Sequence, residues 1–116
     1  MDITQRVEGD ITVFLPDGRI DTLAADEMDQ TLQAAVAGGS HKIVMDMSKV
    51  EHISSAGLRS LAAVLVRCRE EGGDMKLAAL NKRVTRVFNI IGFDLLMSVH
   101  DTPEAAIADF SSSTAS

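Results

Sequence analysis

Apolar residues change rhythm along this chain, and each change marks an element. Near the start, Ile3, Val7, Ile11, Val13 and Leu15 stand among polar neighbours, with Glu8-Gly9-Asp10 between the two sets. That predicts two half-buried strands joined by a tight turn. Pro16-Asp17-Gly18 then reads as a turn. From Asp26 to Ala37 the rhythm is helical, with Met28, Leu32, Ala35 and Val36 on one face. Thr22 is a candidate N-cap, Asp26 and Glu27 sit early in the predicted helix, and Gly38-Gly39 ends it.

The run Lys42–Met47 is short, apolar and rich in β-branched residues, which predicts a strand buried in a sheet. A second helix is expected from about Ala56 to Glu71, with Leu58, Leu61, Ala62, Leu65 and Cys68 facing inward and Gly72-Gly73 as its stop. Met75–Leu80 reads as another strand. Asn81 can cap a third helix whose stripe is Val84, Val87, Phe88 and Ile91, stopped at Gly92. Leu96–His100 is expected as a last strand. Asp101 or Thr102 can cap a last helix, with Pro103 in its first turn and Glu104 placed for a capping box. Ser111 to Ser116 reads as a flexible, Ser-rich tail.

After the opening hairpin, strands and helices alternate. That order implies βαβ crossovers: an α/β fold with a mostly parallel, mixed sheet of about five strands and about four helices. The chain of 116 residues suits one domain, over residues 1–110, followed by the tail at 111–116.

Composition narrows the function. Hydrophobic residues make up 46% of the chain but aromatic ones only 3%, so the core must be aliphatic. A net charge of −6 and the lack of a basic stripe argue against nucleic acid as a partner. Cys68 is the only cysteine, so no internal disulfide can form, which suits a reducing cytoplasm. No apolar stretch approaches the roughly 20 residues of a bilayer span, and the N-terminus lacks the apolar region of a signal peptide. Direct membrane insertion is therefore not expected.

The most informative stretch runs from Asp46 to Arg59, DMSKVEHISSAGLR. A buried strand ends near Met47, and a helix begins near Ser54 to Ala56. Two hydroxyls thus sit where backbone N–H groups lack intrahelical partners and the helix dipole is positive. Either Ser54 or Ser55 can be the N-cap. The same setting tolerates a phosphate, whose charge is roughly −1.5 to −2 at pH 7.

Asp46-x-Ser48-x-Val50-x-x-Ile53-Ser54-Ser55-Ala56-Gly57-Leu58 resembles the signature loop of the bacterial anti-sigma-factor antagonists, the STAS domain family. Gly18-Arg19-Ile20-Asp21, Gly72-Gly73-Asp74-Met75-Lys76-Leu77 and Val87-Phe88-Asn89-Ile90-Ile91-Gly92-Phe93 resemble further family segments, in the family's order. The likeness runs from about residue 3 to 110.

The resemblance implies a partner-switching mechanism in the bacterial cytoplasm. The unphosphorylated protein binds an anti-sigma factor that is also a serine kinase with a GHKL-type ATP site, and so frees the sigma factor. The kinase phosphorylates the antagonist and the pair separates; a PP2C-type phosphatase resets it. Ser55 matches the phosphoacceptor, with Ser54 as the alternative, since many members carry Asp where Ser54 stands. Asp21 matches an acidic residue near that serine which contributes to partner contact, and Gly57 and Leu58 match the start of the recognition helix. ATP and Mg²⁺ belong to the kinase, so no cofactor is assigned here. Arg59, Ala63, Val66, Arg67 and Glu70 fall on the helix's outer side, with Ala63 and Val66 as a small apolar strip beside Ser55. Ser54, Arg59, Ala63 and Val66 therefore join the expected partner face.

An enzyme is not expected. Ser55-Ala56-Gly57 matches half of a G-x-S-x-G elbow, but Ile53 replaces its first glycine. His41, His52 and His100 offer no clear remote base. Walker A, G-x-G-x-x-G and Cys/His metal spacings are missing. The competing reading is a non-switching STAS adaptor of a stress-signalling or lipid-transport complex, in which Ser55 only caps a helix.

Overall fold

A computed structural model describes residues 1–115, with side chains to residue 111. It gives strands β1 (Asp2–Glu8) and β2 (Ile11–Ile20), helix α1 (Thr22–Ala37), strands β3 (Lys42–Asp46) and β4 (Val50–Ile53), and helix α2 (Ser55–Glu70). These are followed by β5 (Asp74–Ala78), α3 (Lys82–Ile91), a 3₁₀ turn (Phe93–Leu95), β6 (Val99–His100) and α4 (Pro103–Ala115). The mixed sheet has the order β1-β2-β3-β5-β6, with β4 also paired to β2. Only β1 runs antiparallel to its neighbour. The α/β class and its four helices are as expected from the sequence.

Helices α1, α2 and α3 cover one face. Met28, Leu32, Leu61, Leu65, Val84 and Phe88 meet Phe14, Met45 and Leu77 in the larger core. Helix α4 covers the other face, setting Ala106 and Phe110 on Ile11, Val13, Val44 and Ala78. With four Phe and no Trp or Tyr in the chain, methionine fills much of the remaining volume: Met28, Met45, Met47, Met75 and Met97 are all buried.

The structure departs from the sequence expectations in several places. Pro16-Asp17-Gly18 is not a turn; β2 runs straight through it to Ile20. Pairing with β3 stops at Phe14, and pairing with β4 starts at Gly18. Pro16 falls in the gap between these partners, where a strand tolerates a residue without an N–H. Gly18 absorbs the register shift at φ +107°. The strand β4 escaped the pattern because four residues are too few to show a period.

Helix α1 begins at Thr22, four residues earlier than expected, and Asp21 rather than Thr22 caps it. Asp26 and Glu27 consequently lie in the second turn, beyond most of the dipole's reach. The last strand shrinks from Leu96–His100 to Val99–His100 because the preceding backbone folds on itself. Leu95 N–H donates to Gly92, and Leu96 and Met97 N–H both donate to Phe93. Asn81 and Thr102 do cap α3 and α4 through the Val84 and Ala105 amides. The tail expected from Ser111 begins inside α4; side chains from residue 112 onward, and Ser116 altogether, lie outside the described residues.

Candidate functional site

Two neighbouring parallel strands end together and each feeds a helix. Ile20 of β2 pairs with Ile53 of β4, and the Ser54 amide donates to the Ile20 carbonyl at 2.8 Å. The next residue on each strand is a cap. Asp21 Oδ1 accepts the Ala24 amide at 2.8 Å, and Ser54 Oγ accepts the Gly57 amide at 3.2 Å. The N-termini of α1 and α2 therefore stand side by side at one edge of the sheet.

This arrangement separates the two serines. Ser54 is the N-cap, and Ser55 is the first residue of α2, exposed, with no hydrogen-bond partner for its hydroxyl among the described residues. The amides of Ser55 and Ala56 are first-turn donors that the cap does not engage. A hydroxyl that could have been consumed as a cap is instead presented to solvent over free N–H groups.

A groove of about 690 Å³ opens beside it, between α1 and α2. Leu23, Asp26, Asp29 and Gln33 line one wall; Ala56, Arg59, Ser60 and Ala63 line the other. Leu23 is 71% exposed at its mouth. Polar links cross its floor. Ser60 Oγ donates to Asp29 Oδ1 at 2.7 Å, and the Arg67 guanidinium donates to the Gln33 side-chain carbonyl. These links fix how α1 sits on α2, and so fix the groove's width.

The expected site residues separate accordingly. Arg59 and Ala63 line the groove, and Val66 is exposed further along α2. Asp21 and Ser54 are engaged as caps at its head. Gly57 and Leu58 point inward instead. A Cβ on Gly57 would lie 2.7 Å from Ile53 Cγ1 and 2.8 Å from Ile20 Cγ2, and Leu58 is only 8% exposed. Their place is to seat α2 close on the sheet rather than to offer surface. Sequence reading missed Leu23, Asp26, Asp29, Gln33 and Ser60 as groove residues. The signal was the i, i+4 spacing of Asp29 and Gln33, opposite a serine inside a helix.

The described residues hold no group of three His, Cys, Asp or Glu side chains able to bind a metal. No described helix is long and apolar enough to cross a membrane.

The model of the STAS domain matches residues 2–106. The chain belongs to the STAS domain family. Among relatives of this STAS domain is a Bordetella bronchiseptica protein named as an anti-sigma factor antagonist, BtrV. It is 34% identical over 93 residues, 80% of each chain. An anti-sigma factor antagonist from Mycobacterium paratuberculosis superposes with a TM-score of 0.86 at 26% identity, over 94% of this chain and 92% of that one. The fold is also that of SpoIIAA in its unphosphorylated form, with a TM-score of 0.74 at 15% identity over 93% of this chain and 96% of that one.

Proposed function

We propose that this STAS domain is an anti-sigma-factor antagonist whose grip on its partner is switched by phosphorylation of Ser55. Unphosphorylated, it docks an anti-sigma factor on the groove between α1 and α2 and on the exposed side of α2, through Leu23, Arg59, Ala63 and Val66. That partner is a serine kinase of GHKL type, which brings ATP and Mg²⁺, and a PP2C-type phosphatase resets the serine. The relatives named as anti-sigma factor antagonists support the role.

The observation that carries the switch is the division of labour between the two serines. Ser54 satisfies the helix start, so Ser55 is free to react. A phosphate on Ser55 adds roughly two negative charges at the groove's head. The unengaged N–H groups of the first turn accommodate that charge without unfolding the domain. A partner fitted to a small neutral hydroxyl meets a bulky dianion instead, and loses both steric and electrostatic fit.

The test is incubation with ATP, Mg²⁺ and a GHKL kinase that binds the protein, with mass spectrometry to locate the phosphate. One phosphoryl group on Ser55 is expected. Ser55→Ala should bind the kinase but accept no phosphate. Labelling of Ser55→Ala at the wild-type rate moves the acceptor to Ser54. No labelling by a kinase that binds tightly leaves the domain a fixed adaptor and overturns the switch.

A further inference from the structure

Three charged side chains line the groove between the first two helices. Asp26 and Asp29 stand on α1, and Arg59, the one cation of the lining, stands on α2. Both acids are engaged: Gln30 donates to Asp26, and Ser60 and Gln33 donate to Asp29. Arg59 is exposed and has no ion-pair partner among the described residues.

The helix sets what Arg59 can reach. α2 is unbroken from Ser55 to Glu70, and Ser55 and Arg59 are both exposed on it. Four residues apart, they share one side, with about 6 Å between their Cβ atoms. Helical side chains slope toward the N-terminus and cover the turn that precedes their own Cα. For Arg59 that is the turn Ser55 begins. An acid followed four residues later by a base is also the favoured order for such a pair. The acids at this edge, Asp21 ahead of α1 and Asp26 in the groove wall, disfavour a phosphate that lacks a counter-charge.

We propose, on the reading that Ser55 is the phosphoacceptor, that Arg59 receives the phosphate within the same chain and is thereby withdrawn from the groove. Before modification, Arg59 offers its guanidinium to a carboxylate of the partner. After it, the guanidinium reaches back one turn and donates to the phosphate oxygens. The groove then keeps Asp26 and Asp29 but loses its cation, so a partner carboxylate seated there is repelled. One modification both blocks the head of the groove and removes the attraction along its wall.

A ³¹P NMR pH titration of the full chain, with phosphoserine placed at position 55 during translation, tests this without a kinase. The second ionisation of a phosphoserine lies at about pH 6, and a guanidinium on the dianion lowers it. The midpoint is expected to be about 0.5 pH unit lower with Arg59 present than in Arg59→Gln, the modest size reflecting solvent exposure. The first-turn amides act equally in both proteins, so the difference isolates Arg59. Arg69→Gln, about 21 Å from Ser55 along the same helix, should leave the midpoint where it is. Equal midpoints with and without Arg59 overturn the proposal. A displacement of the same size in Arg69→Gln also overturns it, since that marks the field of the whole chain and not a pair. Toward a GHKL kinase that binds the protein, unphosphorylated Arg59→Gln should bind about tenfold more weakly, the value of one hydrogen bond to a charged group. Unchanged affinity overturns the withdrawal from the groove. None of these results depends on whether a kinase modifies Ser55: a chain that no kinase labels loses the switch, while the NMR midpoints stay as they are.

Discussion

Ser54 accepts the Gly57 amide at 3.2 Å, and by doing so leaves Ser55, one residue on, without a structural task. The two hydroxyls are adjacent in sequence but separable in energy. Ser54→Ala should cost about 1 kcal/mol, the ordinary value of a lost N-cap. Ser55→Ala should fall within about 0.5 kcal/mol of wild type, as exposed substitutions do. Urea denaturation of both variants measures the difference. A Ser55→Ala loss equal to that of Ser54→Ala would mean that the cap is shared.

Gly57 is there for close approach. Its φ is not in the left-handed region, yet a Cβ would sit under 3 Å from two isoleucines. Both contacting atoms belong to stiff β-branched side chains at the strand ends, so relief requires α2 to move outward. Gly57→Ala should destabilise by about 1–3 kcal/mol, as overpacking does. It should also weaken partner binding more than the stability loss explains, because the start of α2 carries Ser55. Denaturant midpoints and partner affinity, measured on the same variant, check this.

Most of the fold was legible in the sequence because its elements are long or sharply bounded. Gly38-Gly39, Gly72-Gly73 and Gly92 stop helices where their patterns end, and Asn81 and Thr102 cap as their positions suggest. What escaped was set by tertiary partners. Nothing local distinguishes Pro16-Asp17-Gly18 from a turn; it stays extended because β1 pairs on one side while β3 and then β4 pair on the other. The groove escaped for a similar reason. Asp29 and Ser60 are 31 positions apart, and only the packing of α1 on α2 brings them to 2.7 Å. Which serine is the cap was open in the sequence, since both satisfy the same chemistry, and backbone geometry chose Ser54.

The Ser60–Asp29 bond should contribute measurably to holding α1 against α2. Ser60 is buried and Asp29 is half-buried, so the carboxylate keeps some solvent. Ser60→Ala should therefore cost about 1.5 kcal/mol, at the low end for hydrogen bonds to charged groups. Asp29→Ala should cost no more, and the double variant should show coupling. Strict additivity in that cycle would mean that the two side chains do not interact in solution.

Cys68 should be chemically silent in the native protein. It is fully buried, and desolvation pushes its thiol up to about 11. Almost no thiolate exists at pH 8, and the thiolate is the nucleophile. Iodoacetamide should modify Cys68 slowly under native conditions and rapidly in denaturant. Fast native labelling would show that α2 detaches from the sheet far more often than its packing implies.

On the opposite face, Lys76 should set the acid limb of stability. Its side chain is buried beneath α4. Its ammonium lies 2.9 Å from Asp109, 3.5 Å from Asp74, and 4.8 Å from the centre of the Phe110 ring. Asp109 also meets His100 Nε2 at 3.1 Å. The Lys76 hydrogen bond, chiefly, holds the Asp109 carboxyl below the usual carboxylate range. A carboxyl with a lowered folded-state pKa stabilises fully above its unfolded value, about 3.9, and loses that contribution as pH falls through the folded value. Stability should thus decline below about pH 4, and Asp109→Asn should flatten that decline while lowering stability at neutral pH. Lys76→Met should be milder than Asp109→Ala. It removes the buried charge itself, whereas Asp109→Ala leaves the ammonium with the longer Asp74 ion pair and the Phe110 ring face. Denaturant melts from pH 3 to 7 on these variants decide the point, and an unchanged acid limb in Asp109→Asn would place its origin elsewhere.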